Sequence, residues 1–107
     1  MSYPKLGRYR QCVNVIKKEY KVTGLDFDIV LYAAEQDVVS QYDLLKNVSN
    51  SKGSLRQSLS YLEKKGFLRL VRKARTGVRG MPGGYGITGK ARNMVTDFYM
   101  NMFPNQV

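Results

Sequence analysis

Ser51-Lys52-Gly53-Ser54-Leu55-Arg56-Gln57-Ser58-Leu59-Ser60-Tyr61-Leu62-Glu63-Lys64-Lys65-Gly66-Phe67-Leu68 is the stretch that decides how this chain reads. Leu55, Leu59 and Leu62 recur at steps of four and three, the apolar stripe of an amphipathic helix. Ser51 stands where an N-cap belongs, with a hydroxyl able to accept from a free backbone N–H of the first turn. Gly66 stands where the chain leaves the helix, and Lys64 and Lys65 sit favourably against the helix's negative end. With the leucines turned inward, the outward residues near the N-terminus are Lys52, Gly53, Ser54, Arg56, Gln57 and Ser60. These are donors and small groups suited to a groove: Arg can meet guanine, and Gln adenine, through paired hydrogen bonds. Gly53 lets the backbone come close to a phosphate at the helix's positive end. No acid interrupts the face before Glu63.

Upstream, Ser40 is a good N-cap for a short helix that buries Leu44, Leu45 and Val48, and Asn47 to Asn50 reads as the turn after it. The two helices, over 41–48 and 52–65, make a helix-turn-helix candidate, with Gln41 counted among its contacts to DNA. Val38-Val39 is a stub of strand before it. Further back, Thr23 and Asp26 stand in a capping-box relation, and Phe27, Val30, Leu31 and Ala34 form the apolar face of a second helix. The first helix follows Pro4, shows Tyr9, Val13, Ile16 and Tyr20 as its stripe, and ends near Lys21.

Downstream the period changes. Phe67, Leu68, Leu70 and Val71, interleaved with Arg69, Arg72, Lys73 and Arg75, read as a strand. Thr76 to Gly84 contains Gly77, Gly80, Pro82, Gly83 and Gly84 and forms the tip, and Tyr85-Gly86-Ile87 is the returning strand. Thr88 caps a last helix with Ala91, Met94, Val95, Phe98 and Met102 as its stripe, closed by Pro104. The expected class is mainly α with a small β-hairpin wing, α+β, in the order α-α-(β)-α-α-β-β-α. A length of 107 residues fits one domain.

The chain carries 18 Lys and Arg against 8 Asp and Glu, a net +10, and that excess has an address. Residues 51–92 hold Lys52, Arg56, Lys64, Lys65, Arg69, Arg72, Lys73, Arg75, Arg79, Lys90 and Arg92, opposed by Glu63 alone. A one-sided field of this kind attracts polyanions. Arg72, Lys73 and Arg75 on the hairpin suit a phosphate backbone, and Arg79 in Gly77-Val78-Arg79-Gly80 suits a narrow minor groove.

Three blocks together carry a family resemblance: Val38-Val39-Ser40-Gln41-Tyr42-Asp43-Leu44-Leu45, then Ser54 to Leu68 with its Leu62-Glu63-Lys64-Lys65-Gly66-Phe67-Leu68 exit, then Ile87-Thr88-Gly89-Lys90-Ala91-Arg92. Residues 25–92 resemble the winged-helix core of the MarR-type transcription regulators and, more loosely, of the PadR-type ones. The resemblance implies a DNA-binding core over 25–88 whose wing is 67–87, with Ser54, Arg56 and Gln57 reaching bases. It also implies a homodimer formed through the terminal helices, 1–21 and 89–104, and the apolar stripes of those helices supply the expected interface: Tyr9, Val13, Ile16, Met94, Val95, Phe98 and Met102. The acidic-arginine motif of many MarR wings is missing and a Gly-rich tip stands instead. No small-molecule effector is expected.

The partner expected is double-stranded DNA, read sequence-specifically to regulate transcription. The competing reading is a winged helix used for protein–protein or structured-RNA contact within a larger assembly, against which stands a groove-like face with no aromatic anchor. With no histidine and one cysteine, no zinc site, His-based triad or other catalytic set can be assembled, so no enzyme and no cofactor are expected. Gly84-Tyr85-Gly86-Ile87-Thr88-Gly89-Lys90-Ala91 comes within one residue of a P-loop, but Ala91 replaces the Mg²⁺-binding hydroxyl. Cys12 reads as lying off the main stripe of the first helix, an inert thiol or a redox-sensing one. The longest apolar run, Ile29 to Ala34, is far short of a membrane span, and Met1-Ser2-Tyr3-Pro4-Lys5 has no apolar leader core. The expected location is the cytoplasm of a prokaryote, the chain being its own or encoded by a virus or plasmid it hosts.

Overall fold

The structure is a computed structural model that describes residues 6–72 and 84–104. α1 (Leu6–Tyr20) stops in a hook: Val22 N–H donates to the Lys17 carbonyl at 3.1 Å while Lys21 takes a left-handed φ of 58°. This is a Schellman ending with lysine where glycine is usual. α2 (Gly24–Gln36) begins with the full capping box, Thr23 Oγ1 accepting from Asp26 N at 3.1 Å and Asp26 Oδ2 from Thr23 N at 2.9 Å. α3 (Gln41–Asn47) repeats the device with Ser40 and Asp43, at 3.1 and 3.0 Å. α4 (Lys52–Lys64) is capped by Ser51 and leaves through Gly66 at φ 84°, where Phe67 N–H donates to the Leu62 carbonyl at 2.8 Å. Thr88 caps α5 (Gly89–Met102) by accepting from Ala91 N.

Between α4 and α5, β1 (Leu68–Arg72) pairs antiparallel with β2 (Gly84–Ile87), in register Leu68↔Ile87, Arg69↔Gly86 and Leu70↔Tyr85. The register then slips, Arg72 facing Gly84, so Val71 is the extra residue of a bulge. Val39 adds an isolated bridge on the other edge of β2 through two bonds with Tyr85, at 2.9 and 2.8 Å, which ties the segment before α3 to the hairpin. The expected order of elements is therefore the observed one, stub included.

One core joins all five helices and the base of the hairpin, with Ile16, Phe27, Ile29, Val30, Leu44, Leu55, Leu62, Phe67, Leu68 and Met94 among its buried side chains. Four sequence expectations are corrected. α2 buries Phe27, Ile29, Val30 and Ala33, whereas Leu31 and Ala34 are half-exposed. It lies against α1, α4, α5 and β2, so it is covered on more than one side and a single stripe does not describe it. Cys12 is in the core, not off it, because α5 covers the α1 face that also carries Ile16. Leu45 and Val48 are half-buried, leaving Leu44 as the fully buried anchor of α3.

The fourth correction concerns the terminal helices. Ile16, Met94, Val95, Phe98 and Met102 are buried inside the chain itself, since α1 and α5 pack on each other and Phe98 lies 4.9 Å from Phe27 of α2. Five of the seven side chains expected in an interface therefore lie in the chain's own interior, whereas Tyr9 and Val13 do not. Among the apolar side chains that α1 and α5 leave outside are Tyr9, half-buried Val13, Val15, Tyr99 and Met100, with Tyr9, Val15, Tyr99 and Met100 exposed by 37%, 46%, 41% and 46%.

Candidate nucleic-acid interface

α4 turns about 100° per residue, so Leu55, Leu59 and Leu62 fall on one side and the opposite side must face out. Lys52, Gly53, Ser54, Arg56, Gln57 and Ser60 are all exposed, as the spacing requires. The first turn of α4 holds no acid, so the positive end of the helix dipole and the cations add in one direction. Ser54 Oγ accepts from Ser51 Oγ at 3.0 Å, which leaves its own proton free to donate outward. A Cβ built at Gly53 meets nothing within 4 Å. Nothing among the described residues requires glycine there, and they leave the backbone at that point open to a ligand.

The C-terminal end of α4 is anchored from α5. Lys90 Nζ donates to the Lys65 carbonyl at 2.9 Å and lies 4.6 Å over the Phe67 ring. Thr88 Oγ1 donates to the Gly66 carbonyl at 2.5 Å. On the flank, the Tyr61 hydroxyl donates to the Lys21 carbonyl at the end of α1. Tyr20, further back on α1, donates its hydroxyl to Asp97 of α5, and that bond above all, with burial and the carboxylate's charge, pushes its pKa up to about 12.

The remaining site residues are placed unequally. Gln41 is half-buried at the start of α3, and its Nε2 is enclosed without a partner among the described residues, so it is not presented as the α4 side chains are. Arg72 ends β1 opposite Gly84. Lys73, Arg75 and Arg79 lie outside the described residues. Arg69 is exposed on β1 beside the bulge. Two aromatic residues escaped the sequence reading: Tyr61, and Tyr42, exposed by 67% near the start of α3. Tyr42 had no signal beyond being an aromatic off the apolar positions of its helix.

Two clefts flank the motif. One, of about 360 Å³, is lined by Lys21, Thr23, Asp26, Gln57, Ser58 and Tyr61, between the α1–α2 turn and α4. The other, of about 240 Å³, lies between α2 and the end of α3, where desolvation pushes the Asp28 carboxyl up. No described helix is long and apolar enough to cross a membrane.

No protein-family model matches the sequence, and no curated protein matches it. Solved structures do match the fold. MepR of S. aureus, in a complex with DNA, superposes with a TM-score of 0.72 at 20% identity, covering 89% of this chain and 70% of that one. Wild-type apo MarR of E. coli gives 0.67 at 15%, covering 99% and 88%. BpsR of Bordetella bronchiseptica, whose DNA binding is regulated by 6-hydroxynicotinic acid, gives 0.58 at 14%, covering 96% and 83%. At these identities the likeness is one of fold: five helices and a two-stranded hairpin in the MarR-type winged-helix arrangement. The expectation that no small molecule acts on the chain gains nothing from it, because BpsR carries the same fold.

Proposed function

We propose that this chain is a double-stranded-DNA-binding transcription regulator that reads its site sequence-specifically with α4 in the major groove. The observation that carries the reading is the outward face of α4: Lys52, Ser54, Arg56, Gln57 and Ser60 stand exposed on a helix held to the core by buried Leu55, Leu59 and Leu62. Every one of those side chains can donate a hydrogen bond, and a groove edge offers acceptors. Arg56 and Gln57 are long enough to reach bases, while Lys52 and the backbone at Gly53 serve the phosphates. The wing, with Arg72, Lys73, Arg75 and Arg79, runs along the backbone and, through Arg79, into the minor groove. Gln41 is the weakest member of the set, because its amide nitrogen is enclosed. That MepR of the same fold was solved on DNA supports the reading.

The unit is a homodimer, and the apolar surface available for it on the terminal helices includes Tyr9, Val13, Val15, Tyr99 and Met100 rather than the buried Ile16, Met94, Val95, Phe98 and Met102. Pairing across a two-fold axis sets two α4 helices one DNA turn apart, roughly 34 Å.

Selection of bound fragments from random duplex DNA tests the proposal. It should enrich a palindromic site, and Arg56→Ala or Gln57→Ala should each cost about 1–3 kcal/mol on that site and relax particular base positions. Neutralising about six to eight phosphates gives a slope of log K against log salt near −5 to −7. Failure to enrich any sequence, or a slope shallower than about −2, overturns the proposal.

A further inference from the structure

The leucine stripe holds α4 on the core, but apolar packing is not directional and does not by itself fix the roll of a helix about its axis. Reading a base edge demands that roll. A side-chain tip about 6 Å from the axis moves through roughly 1 Å for a roll of about 10°. Binding constellations tolerate about 0.5 Å. A directional contact off the core stripe supplies what the leucines do not.

Among the described residues, α4 has such a contact on its flank at Tyr61. Residues 57 and 61 are one turn apart and neighbours on the helix surface. Both line the cleft facing the α1–α2 turn, together with Lys21, Thr23, Asp26 and Ser58. The Tyr61 hydroxyl donates to the Lys21 carbonyl, forty residues away in sequence. That acceptor is itself held in place. Lys21 sits at φ 58°, an uncommon conformation for a residue with a side chain, and is pinned by the Val22–Lys17 hydrogen bond on one side and the Thr23–Asp26 capping box on the other. The Lys65 ammonium lies 5.9 Å over the Tyr61 ring, which keeps the ring seated against the helix.

We propose that Tyr61 is a positioning residue for DNA reading: its bond to the Lys21 carbonyl fixes the roll of α4 and so sets where Gln57 is presented. This rests on the reading of α4 as the helix that enters the groove. Tyr61 touches no base; it acts through Gln57 and through the α1–α2 turn. Phosphate contacts, being less demanding of angle, do not depend on it.

The test uses the full chain and three variants, Tyr61→Phe, Gln57→Ala and the double, against the selected duplex, its single-base variants and a random-sequence duplex, with a thermal melt of each protein. Tyr61→Phe should keep its affinity for the random duplex and lose about tenfold of its discrimination, at the same base positions that Gln57→Ala relaxes. The double variant should discriminate no worse than the poorer single one, because both changes remove one interaction. Tyr61→Met, which fills the space without a hydroxyl, should show the same loss and covers the case of a poorly folded phenylalanine variant. If Tyr61→Phe and Tyr61→Met lower the melting temperature yet discriminate as the wild type does, while Gln57→Ala loses its preference, Tyr61 is structural only and this inference is overturned alone. Additive losses in the double variant overturn it equally. If Gln57→Ala also leaves every preference unchanged, both this inference and the assignment of Gln57 as a base reader are overturned.

Discussion

Replacing Phe98 by alanine separates the interior of one chain from an interface between two. Phe98 is 4% exposed, and its ring lies 4.9 Å from Phe27, 5.6 Å from Tyr99 and 5.8 Å from Tyr9. Truncating a buried phenylalanine costs about 3–5 kcal/mol. Each lost aromatic pair adds about 0.5–1.5 kcal/mol beyond area, so the upper part of that range applies. A domain has about 5–15 kcal/mol in all, and the melting point should fall by more than about 12 °C. The assay is urea unfolding at two protein concentrations a hundredfold apart, the lower one chosen where the wild type sediments as a monomer. A core contact is lost equally at both. A contact made only between folded copies is invisible in the dilute sample, since a hundredfold dilution removes about 2.7 kcal/mol of association. A Phe98→Ala protein that melts like the wild type when dilute, and differs only when concentrated, would refute the assignment of this residue to the chain's own core.

Gly86→Ala should destabilise by about 1–3 kcal/mol in chemical denaturation, because the new Cβ would stand 3.1 Å from Val71 Cγ2 and 3.4 Å from the Asp37 carbonyl. Adding Val71→Ala should recover part of the loss, and no recovery would mean the bulge side chain is not the obstacle. Gly53→Ala, in open space, should raise stability by up to about 1 kcal/mol and weaken binding to duplex DNA, and unchanged DNA affinity would remove the close-approach role of Gly53. Tyr20 titrates from 10.0 in the unfolded chain to about 12 when folded, so the native state keeps the proton longer. The stability this contributes is complete below pH 10 and is lost as pH rises from there toward 12. Tyr20→Phe should lack that loss, and parallel stability profiles for wild type and variant across this window would contradict it.

The face of α4 was legible because helical periodicity needs only the positions of Leu55, Leu59 and Leu62, and those positions force Arg56, Gln57 and Ser60 outward wherever the helix lies. Gln41 was not legible. It sits at the first residue of α3, and its enclosure depends on how the surrounding elements close around it rather than on a period within seven residues. Tyr61 was equally opaque: it is half-buried, one position from the stripe, and its partner is a backbone carbonyl forty residues away.

Sequence alone determined the element order and nearly every boundary. Thr23 with Asp26, Ser40 with Asp43, Ser51, Thr88 and Gly66 each act on backbone groups within a few residues, so the signal and the contact it makes lie in the same short segment. The tertiary structure alone decided what covers each apolar stripe. Ile16, Met94, Phe98 and Met102 read the same whether a partner or the chain's own helix lies over them, because burial rewards apolar contact without regard to which chain supplies it. Only the packing of α1 on α5, and of Phe98 on Phe27, made them interior, drew Cys12 in beside Ile16, and left Tyr9, Val15, Tyr99 and Met100 among the apolar side chains of these two helices that remain outside.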